Sequence, residues 1–273
     1  MALTEKLTNI ADAIREKTGG TEKLSLDGMA EAIAGISAGG GDEQSVLDSL
    51  IDKSITEVRS NAKSIGHSVF RDCSNLTTIN FPLATSIGDQ AFTSCFRLAS
   101  ADFPLVTSIG NQAFYYCKAL TTVNFPLVTA LPQNVFYSCE GLTSVNFPLA
   151  TSIPNQCFYG CKKLAIVDLP SVTSIVGNAF RGCRSLKAVI LRSDSICSLG
   201  NVAAFYDCYH FHGTKDNTYN PDGLKDGYFY VPAALIENYK AATNWSTFAT
   251  QFRALEDYTV DGTTTGALDE SKI

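Results

Sequence analysis

From Leu76 to Cys183 the apolar positions of the chain recur in windows of 22 residues. The windows read LTTINFPLATSIGDQAFTSC from Leu76, LASADFPLVTSIGNQAFYYC from Leu98, LTTVNFPLVTALPQNVFYSC from Leu120, LTSVNFPLATSIPNQCFYGC from Leu142 and LAIVDLPSVTSIVGNAFRGC from Leu164. One such unit is too short to bury its own apolar side, so the copies must stack as the rungs of a solenoid. The spacing of Leu76, Ile79 and Phe81 predicts a short strand with these side chains turned inward. Proline follows at 82, 104, 126, 148 and 170 and turns the chain. A second extended piece buries Ile87, Ile109, Leu131, Ile153 and Ile175, and a helical turn carrying Phe92, Phe114, Phe136, Phe158 and Phe180 closes each coil. Each buried phenylalanine contributes roughly 1.5–3 kcal/mol, so this column is a major source of cohesion.

The flanks differ. Leu3, Leu7, Ile10, Ala11 and Ile14 have helical spacing, as do Met29, Ile33 and Ile36, which predicts a helical hairpin over 1–36. A glycine-rich linker follows at 37–45. The solenoid is expected over 46–208, entered through a short helix at Val46–Ile51 and an imperfect rung in which Arg59-Ser60-Asn61 replaces Phe-Pro-Leu. A C-terminal cap is expected over 209–258 and a tail over 259–273. The hairpin is too small to bury much core alone, which points to docking or to oligomerisation through the N-terminal helices.

Charged residues make up 18% of the chain and the net charge is −6, with no basic cluster of the kind that binds nucleic acid. No apolar run approaches the length of a membrane span, so membrane insertion is not expected. The charged N-terminus does not read as a secretory signal peptide. That leaves three expected locations: the cell surface or medium, a phage particle, or the cytoplasm. Of nine cysteines, Cys73, Cys95, Cys117, Cys139, Cys161 and Cys183 are 22 apart and are expected as a buried, reduced column. Cys157, Cys197 and Cys208 are expected to lie off the strict period, and the odd total leaves at least one thiol unpaired.

The consensus C-x-x-L-x-x-I-x-F-P-x-x-T-S-I-G-x-x-A-F-x-x-C resembles the BspA-like, or Treponema-type, leucine-rich repeats from about Ile55 to Cys208. The resemblance implies an α/β repeat solenoid: a right-handed leucine-rich-repeat coil of about seven rungs with a small helical N-terminal segment and an α/β C-terminal cap. Tyr228–Leu255, with its Tyr-Val-Pro strand end and Asn-Trp-Ser turn, is similar to the closing element of such proteins. The family implies bacterial surface proteins that adhere to host proteins, matrix or other cells, with no enzymatic activity. The segment from Leu7 to Ile36 resembles the openings of phage or prophage tail-associated proteins.

Two faces are candidate ligand sites. The outward strand positions Thr78, Asn80, Ser100, Asp102, Thr122, Asn124, Ser144, Asn146 and Asp168 fall into columns along the stack, on strands about 4.8 Å apart. They offer hydroxyls and amides to a repetitive glycan or an extended peptide; equally, short polar side chains keep an exposed sheet soluble. On the opposite rim Tyr115, Tyr137 and Tyr159 share one register, with Tyr116 beside them. That row either stacks on sugars and proteins or merely covers the phenylalanines beneath. Cys208, His210 and His212 alternate as zinc ligands would in a strand, but without a second ligand pair no metal is expected. No P-loop, G-x-S-x-G or H-E-x-x-H motif is present, so neither enzyme activity nor a cofactor is expected. The function expected is non-enzymatic binding or adhesion to a protein or glycan, on host or bacterial surfaces. The alternative is a phage or prophage tail-associated structural or receptor-binding protein.

Overall fold

The computed structural model describes residues 54–211 and 226–273. The expected hairpin, linker and entry helix, all within residues 1–53, lie outside the described residues, as does His212. Two strands open the array, β1 (Glu57–Arg59) and β2 (Ser64–Ile65). The next rungs contribute β3 (Thr78–Asn80) with β4 (Ser86–Ile87), and β5 (Ser100–Asp102) with β6 (Ser108–Ile109). After them come β7 (Thr122–Asn124), then β8 (Ser144–Asn146) with β9 (Ser152–Ile153). The last repeats supply β10 (Ile166–Leu169), β11 (Ser174–Ile175), β12 (Ala188–Leu191) and β13 (Ser198–Leu199).

All these strands pair in parallel with their counterparts one rung away. The first-strand ladder runs β1–β3, β5–β7–β8 and β10–β12, and the second runs β2–β4–β6 and β9–β11–β13. Register keeps columns intact: Ala101 opposes Val123, which opposes Val145. Between the ladders the Phe-Pro-Leu-Ala/Val segment is a tight turn. Ala84 N donates to Phe81 O at 3.1 Å, and Val106, Val128 and Ala150 repeat the bond to Phe103, Phe125 and Phe147. Proline stands second in this turn, where its fixed φ fits.

The closing segment is a turn and not the expected helical one. Gln90, Gln112, Asn134 and Gln156 have φ of 56° to 57°, and the residues before the column cysteines, among them Ser94, Tyr116, Ser138 and Gly182, lie between 55° and 76°. Two left-handed residues per rung break any helix. The backbone N–H groups instead reach the neighbouring rung, as from Phe92 to Ala113 O (2.8 Å) and from Phe114 to Val135 O (3.0 Å). The T-S-I-G glycine has a steric reason in Gly110, where a Cβ would sit 2.2 Å from Asp89 N.

The core is one cluster along the stack. Phe92, Phe114 and Phe136 stack at centroid distances of 5.2 and 5.7 Å. All nine cysteines are buried. Cys117, Cys139 and Cys183 each donate Sγ–H to the carbonyl of Phe92, Phe114 and Phe158 at 3.1 Å. A thiol therefore does what alanine could not, since it satisfies a buried carbonyl. Cys157, expected to stand off the period, does not. It continues a second buried column with Ala91, Ala113, Val135 and Ala179.

Beyond the repeats, β14 (Tyr228–Val231) extends the ladder from β12, and β15 (Phe252–Ala254) extends it again. Helix α1 (Ile236–Ala241) and a 3-10 stretch at Trp245–Gln251 close the core. Trp245 Nε1 donates to Cys197 O (2.6 Å) and Cys197 N donates to the Tyr239 hydroxyl (2.8 Å). The segment expected as a tail, 259–273, turns back through an antiparallel bridge between Thr259 and Leu268 and packs on the solenoid.

Candidate functional site

The outward positions of β3, β5, β7 and β8 lie on one open face. Ser100, Thr122 and Ser144 are partners in register, as are Asp102, Asn124 and Asn146. Each rung carries two adjacent hydroxyl or small residues, and the structure gives them different work. Thr77, Thr121 and Thr143 donate to the preceding rung at Thr56 O (2.9 Å), Ala99 O (2.9 Å) and Thr121 O (3.1 Å). Their neighbours Thr78, Ser100, Thr122 and Ser144 are exposed, and the side chains of the last three make no hydrogen bond to other described residues. Next to them Asn146 Nδ2 donates to Asn124 Oδ1 (2.7 Å), and Asn124 Nδ2 donates to Asp102 Oδ1 (2.8 Å). This amide ladder points one way and ends on a carboxylate that only accepts, so its bonds polarise one another toward Asp102. Asn80 lies on the far side of that carboxylate. The face presents free hydroxyls in one column and a directional amide row in the next.

Asp168, the fifth residue of the predicted row, does not share this openness. Arg192 grips its carboxylate with Nε (2.8 and 3.0 Å) and Nη2 (2.8 Å). The same guanidinium uses Nη1 to hold Thr264 O (2.6 Å) and Gly266 O (2.9 Å). Asp168 thus anchors the C-terminal segment. Around it the outward residues turn apolar: Ile166, Ala188, Ile190, Tyr228 and Tyr230 lie beneath Leu255, Tyr258, Leu268 and Ile273. Arg253 covers the Tyr228 ring at 3.9 Å. The free face therefore runs from Thr78 to Asn146 and ends against a wall made by the chain itself.

On the other rim Tyr115, Tyr137 and Tyr159 do meet, ring on ring, at 4.8 and 4.6 Å. Tyr116 sets its edge against Tyr115 at 4.6 Å. Burial first, and then neighbouring phenols, push the Tyr115 and Tyr137 hydroxyls above their ordinary pKa, so both remain donors. Because the rings cover one another, the row offers edges and hydroxyls rather than the faces on which a sugar would stack. Arg181 takes the next position in the column, with its Nε on Asp207 Oδ2 (3.2 Å). Tyr116 carries φ of 60°, an uncommon conformation for a bulky residue. Its ring and the exposed Phe96 share Lys118, whose Nζ is 5.8 and 5.9 Å from the two centroids.

Cys208 and His210 do not converge. Cys208, expected off the period, continues the cysteine column despite the longer last repeat: its Sγ donates to Phe180 O (3.1 Å), and burial pushes its pKa well above the ordinary thiol value. His210 Nδ1 pairs with Asp226, which also faces Lys187 at 3.9 Å. Among the described residues no three histidine, cysteine, aspartate or glutamate side chains cluster as metal ligands. Buried, protonated thiols are also poor nucleophiles. No helix among the described residues is long and apolar enough to cross a membrane.

Comparison with known families places the BspA type leucine rich repeat region on the chain in six copies, over residues 51–165 and 129–218. No curated protein matches the chain. Among solved structures, a leucine-rich cell surface protein from Faecalibacterium prausnitzii A2-165 is 32% identical, with a TM-score of 0.48. The alignment covers 52% of this chain and 40% of that one. A leucine-rich repeat protein from Bacteroides ovatus ATCC 8483 is 24% identical over 66% of this chain and 54% of its own, with a TM-score of 0.50. The chain thus aligns with about half, or less, of these two proteins' lengths. The family match begins at residue 51 and adds nothing to the phage-like reading of the N-terminal segment, which also lies outside the described residues. The match spans more than half of the chain, and the protein belongs to the BspA type leucine-rich repeat family, with an α/β leucine-rich-repeat solenoid as its fold.

Proposed function

We propose that this family member is a non-enzymatic binding module of the bacterial surface, and that it holds a protein or glycan along the open strand face between Thr78 and Asn146. The observation that carries this reading is the directional ladder from Asn146 through Asn124 to Asp102, flanked by the free hydroxyls of Ser100, Thr122 and Ser144. A ligand repeating along the stack finds one equivalent set of partners every rung, about 4.8 Å apart. The tyrosine rim is the weaker candidate, because its ring faces are already occupied by each other. Hot spots favour exposed aromatic anchors, and the strand face has none, so affinity must come from many modest polar contacts in series.

The test is binding of the fluorescently labelled full chain to whole epithelial cells and to whole bacterial cells, read by flow cytometry. The wild type is expected to label one of these populations, and T122K/N124K is expected to lose at least tenfold in apparent affinity with folding intact. Labelling unchanged in T122K/N124K, or absent from both cell types, would remove the strand face from consideration.

A further inference from the structure

Leu83, Leu105, Leu127 and Leu149 are 45%, 42%, 41% and 45% exposed, and each occupies the same place in its rung. Every one stands third in the Phe-Pro-Leu-Ala/Val turn, directly after the proline. Positions in such surface turns ordinarily take glycine, asparagine, aspartate or serine. Nothing in the turn itself asks for leucine, and the inward neighbours Ala84, Val106, Val128 and Ala150 already supply the core contact. The stripe is also bounded. The equivalent place is Asn61 in the first rung and Ser171 after Leu149, where Ser171 Oγ donates to Pro148 O at 2.7 Å. It therefore occupies the same four rungs whose strand face is open.

We propose that this leucine stripe is a self-association surface, on which a second copy of the chain lays its own stripe. The spacing selects the partner. Four leucines at the rung repeat of about 4.8 Å span about 14 Å. Three turns of an α-helix cover about 16 Å and three same-face steps of a single extended strand about 20 Å, so both drift out of register across the stripe. A second stack of identical rungs matches tooth for tooth. Charge points the same way. Two copies with a net charge of −6 repel each other over most of their surfaces. The columns beside the leucines are Thr85, Thr107, Thr129 and Thr151 on one side and Asn80, Asp102, Asn124 and Asn146 on the other, with one charge among the eight. Identical copies can meet here at little electrostatic cost, and a twofold pairing of one patch with itself is the commonest form of association.

Area sets the strength. An apolar patch of this kind amounts to a few hundred Å², whereas a standard interface takes about 800 Å² from each partner. The pair is therefore weak and dependent on concentration, and crowding of copies on a surface favours it.

Sedimentation velocity on the full chain tests this, from low micromolar to near-millimolar concentration. The wild type is expected to move from the mass of one chain toward twice that mass. L105K/L127K is expected to keep the single-chain mass throughout, with at least tenfold weaker association and an unchanged melting temperature. L83K/L149K, at the ends of the stripe, is expected to weaken association less. A wild type that stays single at the highest concentration overturns the proposal. So does an L105K/L127K variant, shown folded by circular dichroism, that pairs as well as the wild type, since association would then come from the N-terminal segment or another surface.

Discussion

The first strands from Thr78 to Asn146 and those from Ile166 to Val231 belong to the same stack, yet their outward side chains differ in kind. In the first region they are Thr78, Asn80, Ser100, Asp102, Thr122, Asn124, Ser144 and Asn146, facing outward with few partners. In the second they are Ile166, Ala188, Ile190, Tyr228 and Tyr230, shielded by Leu255 and the segment that follows it, with Asp168 the polar exception, its carboxylate held by Arg192. The inward columns do not change between the two. The difference shows that the outward face of this solenoid takes apolar residues where the chain covers it and polar ones where it does not. Against that rule the exposed leucines at 83, 105, 127 and 149 stand out, because they are apolar and uncovered.

The largest expected effect strikes both regions together. Burial raises the pKa of Cys117, Cys157, Cys161 and Cys208 well above 9.0, and pushes Cys197 up to about 12. The folded chain holds these protons while the unfolded chain releases them from about pH 9. The stabilisation is therefore complete below pH 9 and is lost as pH rises toward 12. Each thiol that stays protonated in the fold costs about 1.4 kcal/mol of stability for every pH unit climbed in that window. Melting temperatures measured from pH 8 upward should hold to about pH 9 and then fall steeply, each unfolding in one cooperative transition. A flat profile to pH 11 would show that the thiols are not buried as described.

Phe114→Ala comes next, since its ring lies fully buried between Phe92 and Phe136. The cavity should cost about 3–5 kcal/mol, read as a lower midpoint in urea. The comparison itself is sharpened by a matched pair. Ile190→Ser in the covered region should cost about 2–4 kcal/mol, for lost packing and a buried hydroxyl. Thr122→Val in the open region should change stability by less than about 0.5 kcal/mol. Equal costs would erase the distinction between the regions. Arg192→Ala removes the grip on Asp168, Thr264 and Gly266 and should cost about 1.5–3 kcal/mol. Its signature is local: faster amide exchange in 255–273 with protection in β5, β7 and β8 unchanged.

Much of this architecture was legible from the period alone. The Phe, Leu and Cys columns, the strand–proline–strand order and the shared register of the tyrosines all follow from positions 22 apart, whereas the stacking of the tyrosine rings on one another does not. The partners of Asp168 were hidden, because Arg192 joins it to Thr264 and Gly266, which no repeat relates. A clue existed in Ile166, Ala188 and Ile190, apolar at places that are polar two rungs earlier. The left-handed turns were equally veiled, since Gln90 and Tyr116 are not residues that announce positive φ, although Gly160 and Gly182 in the latter's column do. The leucines after the prolines stand in four successive windows, but a hydrophobic period marks what is buried and does not by itself distinguish an apolar position left outside.

The most direct measurement is hydroxyl-radical footprinting of the dilute full chain, read by mass spectrometry at individual side chains. The account predicts heavy oxidation of Leu83, Leu105, Leu127, Leu149 and Phe96, with Ile190, Tyr230 and Leu255 protected. Ile190 and Tyr230 oxidised as readily as the four leucines would contradict it, for the C-terminal segment would then not cover the sheet and the two regions would be one.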